Sequence, residues 1–182
     1  GGGGGGGGGS TGRRARRGSE SSGNPLLRLL RKTGTLKHLS ARGGVGGLAA
    51  DCFLRSSSVM RNVCMSLRTL DLSYTRFATP TIDCIRNTVA AFLHDATSLT
   101  VLRMAGTNLS TAVLVATLDA CIDRLRVLDI SGNTDYGDNF PTIVGSLTRA
   151  THLHTLLVNG CISGRSKNRR SFTKALVDLL GS

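Results

Sequence analysis

Few side chains in this sequence have the types and spacing that catalysis or metal binding requires. His152 and His154 stand two residues apart and would share one face of a strand, but a zinc site needs a third ligand and none is evident. Asp119 and Asp123 stand four residues apart on a predicted helix, where lone acidic pairs are usually solvated. The Gly-rich run at 43–47 lacks the Lys-Ser/Thr of a phosphate-binding loop. We therefore expect a protein that is not an enzyme and has no cofactor and no bound metal.

The positive charge of the chain is concentrated at its two ends. Of the net charge of +12, residues 1–46 contribute nine basic residues against one acidic residue, and residues 165–182 contribute five against one. The first 24 residues include nine successive glycines and few apolar side chains, so burial cannot offset the entropy of ordering them. We predict a disordered Gly/Arg/Ser-rich tail over 1–24. The tail contains a basic cluster, Arg13, Arg14, Arg16 and Arg17. This cluster is either part of a solvated flexible segment or a nuclear-localisation or polyanion-binding patch.

The cysteines and the hydropathy bear on the compartment. The five cysteines are widely spaced and form no CxxC pair, which favours free thiols in a reducing compartment; they are Cys52, Cys64, Cys84, Cys121 and Cys161. No run of 18 apolar residues occurs, so we expect no transmembrane helix. We expect a cytoplasmic protein, with the nucleus as the alternative.

A repeated leucine pattern must position any functional side chain. It is clearest at Leu67–Phe77, LRTLDLSYTRF, with apolar residues at relative positions 0, 3 and 5 and a small polar residue at position 8. It recurs from Leu99, Leu125 and Leu153, and in a degenerate form from Leu36, at steps of 31, 32, 26 and 28 residues in chain order. Self-similarity at a period of about 20 to 50 residues is typical of stacked-repeat proteins.

The segments between these patterns predict helices. Thr79 with Pro80, Ser110, and Asn139 with Pro141 are helix-start signals. The apolar residues that follow at helical spacing are Ile82, Ile85, Val89 and Phe92; Val113, Leu114, Leu118 and Ile122; and Ile143, Val144 and Leu147. Further helices are predicted over 25–32, 48–60 and 171–180. Each repeat is thus predicted as strand, turn and helix.

These residues resemble the leucine-rich repeat family, whose strand consensus is LxxLxLxxN/CxL. The family uses the position-8 side chain to bond backbone groups in the turn after the strand, and the residues there are Thr75, Thr107, Asn133 and Cys161. The resemblance covers roughly 36–180, and full helices in repeats of about 28 residues are similar to the ribonuclease-inhibitor-like subclass. It implies an α/β solenoid over 25–182, with parallel strands on the concave face and helices on the convex face. Neither end has a recognisable capping repeat, so we expect a fragment or an end covered by a partner.

The side chains at positions 2, 4 and 6 are expected to point away from the core, because side chains alternate along a strand. A row of charges, Asp71, Arg103 and Asp129, crosses the centre of this face. Since neighbouring strands lie about 4.8 Å apart, the row can pair as a self-satisfying ladder or meet a complementary partner, and the two are compatible. Tyr and Arg are favoured interface anchors. The predicted partner-binding residues are Thr69, Asp71, Ser73, Tyr74, Arg103, Asp129 and Leu157.

The function that this sequence favours is a non-catalytic scaffold that binds another protein through the concave strand surface. A substrate-recruiting adaptor is one concrete form of it. The alternative is a nucleic-acid or ribonucleoprotein-associated factor that binds through its basic ends.

Overall fold

The computed structural model describes residues 1–2, 33, 35–43, 63–75, 82–136, 139–161, 173–174 and 177. Five short strands follow one another, β1 His38–Ser40, β2 Thr69–Asp71, β3 Val101–Arg103, β4 Val127–Asp129 and β5 Thr155–Leu157. Three helices connect the last four strands, α1 Ile82–Asp95, α2 Thr111–Cys121 and α3 Phe140–Leu147. Short 3₁₀ turns cover Ile122–Arg124 and Thr134–Tyr136. Residues 63–66, 173–174 and 177 are also helical.

The strands form one parallel sheet in which the spatial order is the order along the chain. Each strand pairs with the next at the same repeat position, so that the position-3 leucines lie side by side across the sheet; they are Leu39, Leu70, Leu102, Leu128 and Leu156. The helices form a second layer in which α1 packs against α2 and α2 against α3. The α/β class and the parallel sheet are confirmed, and the arrangement is consistent with a stacked-repeat solenoid.

The leucines of the repeat pattern form the core between the two layers. In the three central repeats, every residue at positions 0, 3 and 5 is buried; they are Leu67, Leu70 and Leu72, Leu99, Leu102 and Met104, and Leu125, Leu128 and Ile130. The corresponding residues of the last repeat are only partly buried. Tyr136 is a core residue that the leucine pattern did not predict. Asp135 occupies the apolar position 10, and one residue later the Tyr136 side chain is buried in a 3₁₀ turn.

The position-8 side chains bond the turns together, as the repeat resemblance implied. Three of them donate to the carbonyl at position 5 of the preceding repeat, at 2.7 Å from Thr75 Oγ1, 2.9 Å from Asn133 Nδ2 and 3.1 Å from Cys161 Sγ. Thr107 instead donates to Met104 of its own repeat at 3.0 Å and lies 3.2 Å from Asn133 Oδ1. All four residues are buried. The side chains therefore supply hydrogen bonds that the turns cannot obtain from water.

The helix starts follow the sequence signals in part. The Ser110 hydroxyl accepts the Val113 N–H at 3.4 Å and caps α2. Asn139 precedes α3 with Pro141 in the first turn, but the Asn139 side chain makes no capping hydrogen bond. The predicted core residues of α2 and α3 are buried. Thr79, Pro80, the predicted helices over 25–32 and 48–60, and the predicted tail apart from residues 1–2 lie outside the described residues.

Candidate functional site

The sheet presents one face away from the helices, and this face carries the predicted binding residues. Thr69, Asp71 and Asp129 are half-buried on it, whereas Arg103 is exposed. Leu157, on β5, is 37% exposed. Along each strand, these more exposed residues alternate with the more buried leucines, because successive side chains of a strand point to opposite faces of the sheet. We call this surface the outer sheet face.

The charged row lies at the centre of the outer sheet face. The register places Asp71 beside Arg103 and Arg103 beside Asp129. Nevertheless, none of the three forms an ion pair with any described residue, so the alternative of a self-satisfying ladder is wrong. Each carboxylate instead accepts the N–H of the serine two residues later, at 2.9 Å for Asp71 and 3.0 Å for Asp129. These backbone bonds hold the short carboxylates towards their own turns, and the Arg103 guanidinium remains available to a partner.

Ser73 belongs to the scaffold and does not contribute to the exposed surface. It is only 4% exposed, and its Oγ accepts the N–H of Ala105 in the next repeat at 3.3 Å. Ser131 repeats the arrangement, with its Oγ accepting the Asn159 N–H at 3.1 Å. In both Asp-x-Ser segments the aspartate therefore bonds to the serine N–H while the serine oxygen binds the following repeat. The prediction that Ser73 contacts a partner does not agree with its burial.

The turns after the strands share one backbone conformation, the left-handed one, at position 7. The φ angles there are +66° at Gly43, +60° at Tyr74, +60° at Gly106, +70° at Gly132 and +67° at Gly160. From Gly43 to Gly132, each position-7 N–H donates to the position-6 carbonyl of the next repeat, at 2.6 to 2.9 Å. Each of these four donors is a residue in the left-handed conformation. Glycine adopts it without steric cost, and tyrosine does not.

Tyr74 lies between groups from the two neighbouring repeats. Its ring rests against Gly106 so closely that a Cβ on Gly106 would lie 2.7 Å from Tyr74 Cδ1. From the other side, the guanidinium carbon of Arg42 lies 5.1 Å from the ring centroid, within the range of a cation–π interaction. The side chain of Tyr74 is nonetheless 54% exposed. We call Arg42, Tyr74 and Gly106 the Tyr74 platform.

The sequence prediction included Tyr74 but missed the other two residues of the platform. The signal that could have found them is the comparison of position 7 across the repeats, where one tyrosine interrupts a series of glycines. Arg42 stands one residue before position 7 of the first repeat, in a turn whose leucine pattern is degenerate.

The described residues include no arrangement typical of catalysis or metal binding. His152 and His154 are both exposed, and in the described part of the chain no three His, Cys, Asp or Glu side chains are grouped so that they could hold a metal ion. Burial raises the pKa of the Cys64 and Cys121 thiols to about 12 and also raises that of Cys161. Thiols that stay protonated are weak nucleophiles, and all three of these free cysteines are buried.

Within the described part of the chain, no helix has the length and apolar character needed to cross a membrane.

Comparisons with known proteins give only a general likeness of fold. No family model matches the chain, and no curated protein matches it. Among solved structures, it is similar to the tropomodulin C-terminal domain of Caenorhabditis elegans, a fold of the leucine-rich-repeat type, with a TM-score of 0.49 and 14% sequence identity. The match covers 85% of this chain and 91% of that chain. At these values the likeness carries no conclusion about function.

Proposed function

We propose that this protein is a non-catalytic scaffold that binds another protein through the outer sheet face. The observation that carries the proposal is the state of Arg103. It is exposed at the centre of a regular face, between two aspartates in register, and it has no ion-pair partner among the described residues. An arginine held at the centre of a rigid surface is a frequent anchor of protein interfaces.

The architecture supports this use of the surface. A stack of repeats displays side chains at a fixed spacing on a rigid support, and such arrays bind partners over extended surfaces. We propose the arrangement of the ribonuclease-inhibitor-like subclass, with the outer sheet face on the concave side of an arc. Its binding residues are then Thr69, Asp71, Tyr74, Arg103, Asp129 and Leu157. A substrate-recruiting adaptor is the specific role that we propose.

The test is affinity purification from cell extract followed by mass spectrometry, with the full chain and a triple variant, Asp71→Asn, Arg103→Gln and Asp129→Asn. Asparagine retains the oxygen that accepts the serine N–H, so the turns should keep their geometry. We expect the variant to lose a set of proteins that the unaltered chain captures.

A control makes the same changes of residue type on the helical side, at the exposed Asp95 and Asp123 and at the exposed Arg149, which pairs with Asp119. This variant should retain the captured set. Identical sets from the unaltered chain and the outer-face variant would refute the proposal. Capture that falls steeply with salt and is lost on neutralising the basic cluster of the tail would instead favour nucleic-acid binding through the basic ends.

A further inference from the structure

The left-handed conformation of Tyr74 is the least expected backbone feature in the described part of the chain. A bulky side chain at positive φ is strained, because its Cβ crowds the following carbonyl oxygen. The same position is glycine in the other four turns, and three of those glycines donate to the next repeat as Tyr74 does. Strain of this kind is found where a side chain is kept for a function.

The contacts within the chain account for only part of the Tyr74 side chain. The ring has one side against Gly106 and a cation above it, yet more than half of the side chain remains exposed. The missing Cβ at Gly106 provides the space in which the ring lies. The turn thus holds an aromatic surface in a defined orientation and leaves it accessible to a partner.

The charge around the ring indicates which chemistry the partner brings. Arg42 and Arg103 are both exposed, and neither forms an ion pair with any described residue. A carboxylate on the partner would satisfy either guanidinium. A nucleic-acid strand is disfavoured, because Asp71 and Asp129 flank Arg103 and would repel its successive phosphates.

We infer that the Tyr74 platform is the anchor point of the interface, and that it takes an acidic polypeptide segment. A partner carboxylate pairs with Arg42, and an apolar side chain next to it packs on the exposed part of the Tyr74 ring. The inference rests on the proposed function, whose surface it narrows to the turn at the end of β2.

The experiment uses the full chain as bait for a random-peptide phage library, with the enriched peptides then synthesised and their Kd values measured. We expect enrichment of peptides with Asp or Glu beside an aromatic or aliphatic residue. Tyr74→Gly removes the ring and restores the residue that the other turns carry, so the variant should keep its fold. Together with Arg42→Gln, it should weaken binding by about tenfold or more, as truncation of an interface anchor does.

Arg126→Gln is the matched control for charge, since it removes an exposed arginine that, like Arg42, forms no ion pair with any described residue and that directly precedes β4, at the opposite end of the strands from the turns. It should leave the Kd unchanged. Thermal unfolding of each variant identifies any loss of binding that comes from loss of fold, and a cooperative transition for Tyr74→Gly is part of the expected result.

The outcomes separate this inference from the proposed function. Binding that survives Tyr74→Gly and Arg42→Gln but is lost in the Asp71, Arg103 and Asp129 triple variant would overturn the inference and leave the proposed function standing. Binding unaffected by all of these changes, or a library that yields no enriched peptide, would count against both. Oligodeoxythymidine that binds the chain and no longer binds Tyr74→Gly would show a base-stacking site and overturn the assignment to a polypeptide.

Discussion

Asn133→Asp is predicted to destabilise the fold strongly, although it replaces one nitrogen with one oxygen. Asn133 is 1% exposed and lies at position 8 of the fourth repeat. Its Nδ2 donates to Met104 O at 2.9 Å and to Ile130 O at 2.8 Å. Its Oδ1 accepts the Asn108 N–H at 2.9 Å and lies 3.2 Å from the Thr107 hydroxyl. The amide thus has a donor where two carbonyls face it and an acceptor where donors face it.

The magnitude follows from the two donated bonds. A carboxylate cannot donate, so both bonds are lost, at about 1 kcal/mol each. Two carbonyl oxygens then face a buried negative charge, and leaving such groups unpaired costs roughly 1–3 kcal/mol more. The bonds that Oδ1 accepts are retained. The free energy of unfolding should therefore fall by about 3–5 kcal/mol, a large part of the roughly 5–15 kcal/mol of an ordinary domain.

Urea unfolding followed by far-UV circular dichroism measures this loss as a change in the midpoint at constant slope. Asn108→Asp is the matched control. It makes the same change at an exposed residue with φ of +53°, a conformation that Asp tolerates as well as Asn. The control should stay within about 0.5 kcal/mol of the unaltered chain. If Asn133→Asp unfolds at the same urea concentration as Asn108→Asp, the amide does not hold the turns together and the reasoning fails.

Three further predictions concern the turns, the helical layer and the cysteines. Gly106→Ala should lower the thermal midpoint more than Gly132→Ala does. Both substitutions introduce strain at positive φ, but only the Cβ at Gly106 meets the Tyr74 ring. In a Tyr74→Gly background, the difference between the two midpoints should vanish. Thr117→Val should raise the free energy of unfolding by about 1 kcal/mol, since the buried Thr117 Oγ1 has no hydrogen-bond partner among the described residues. A loss of stability in urea would contradict this. The buried thiols should resist iodoacetamide at neutral pH until the chain unfolds. Folding raises the pKa values of the Cys64 and Cys121 thiols from 9.0 to about 12. The stability that these two protonated thiols contribute is therefore fully present below pH 9 and is lost as the pH rises towards 12.

The repeated elements could be predicted from the sequence because one physical requirement recurs in each repeat. A single strand–turn–helix unit cannot bury its apolar side chains alone, so the spacing of those side chains must match that of its neighbours. The spacing at positions 0, 3 and 5 therefore predicted the strands and their register. The role of position 8 was implied by the resemblance to leucine-rich repeats, and its physical reason is that a buried turn must satisfy its backbone groups. Even the degenerate repeat from Leu36 supplies a strand in register.

The charged row and the Tyr74 platform could not be predicted in the same way. Register placed Asp71, Arg103 and Asp129 side by side, but it could not show that a nearby backbone N–H competes with the arginine for each carboxylate. For a short side chain such as Asp, the local bond requires less ordering than an ion pair across strands. The platform depends on contacts among three repeats, which a pattern read along one repeat does not contain.

The backbone conformation of Tyr74 is imposed by the repeats on both sides of it. Gly43 N–H donates to the carbonyl of Ser73, and Tyr74 N–H donates to the carbonyl of Ala105, so a rotation of the turn at 73–74 would break bonds in two directions. These bonds hold the turn at 73–74 from both sides, and Tyr74 is left-handed within it. The misfit is offset by the neighbours, through the absent Cβ of Gly106 and the guanidinium of Arg42. A side chain that disagrees with its local backbone, and whose accommodation involves both neighbouring repeats, is expected where function requires that side chain. Because the Tyr74 side chain is 54% exposed, we place that function in contact with a partner.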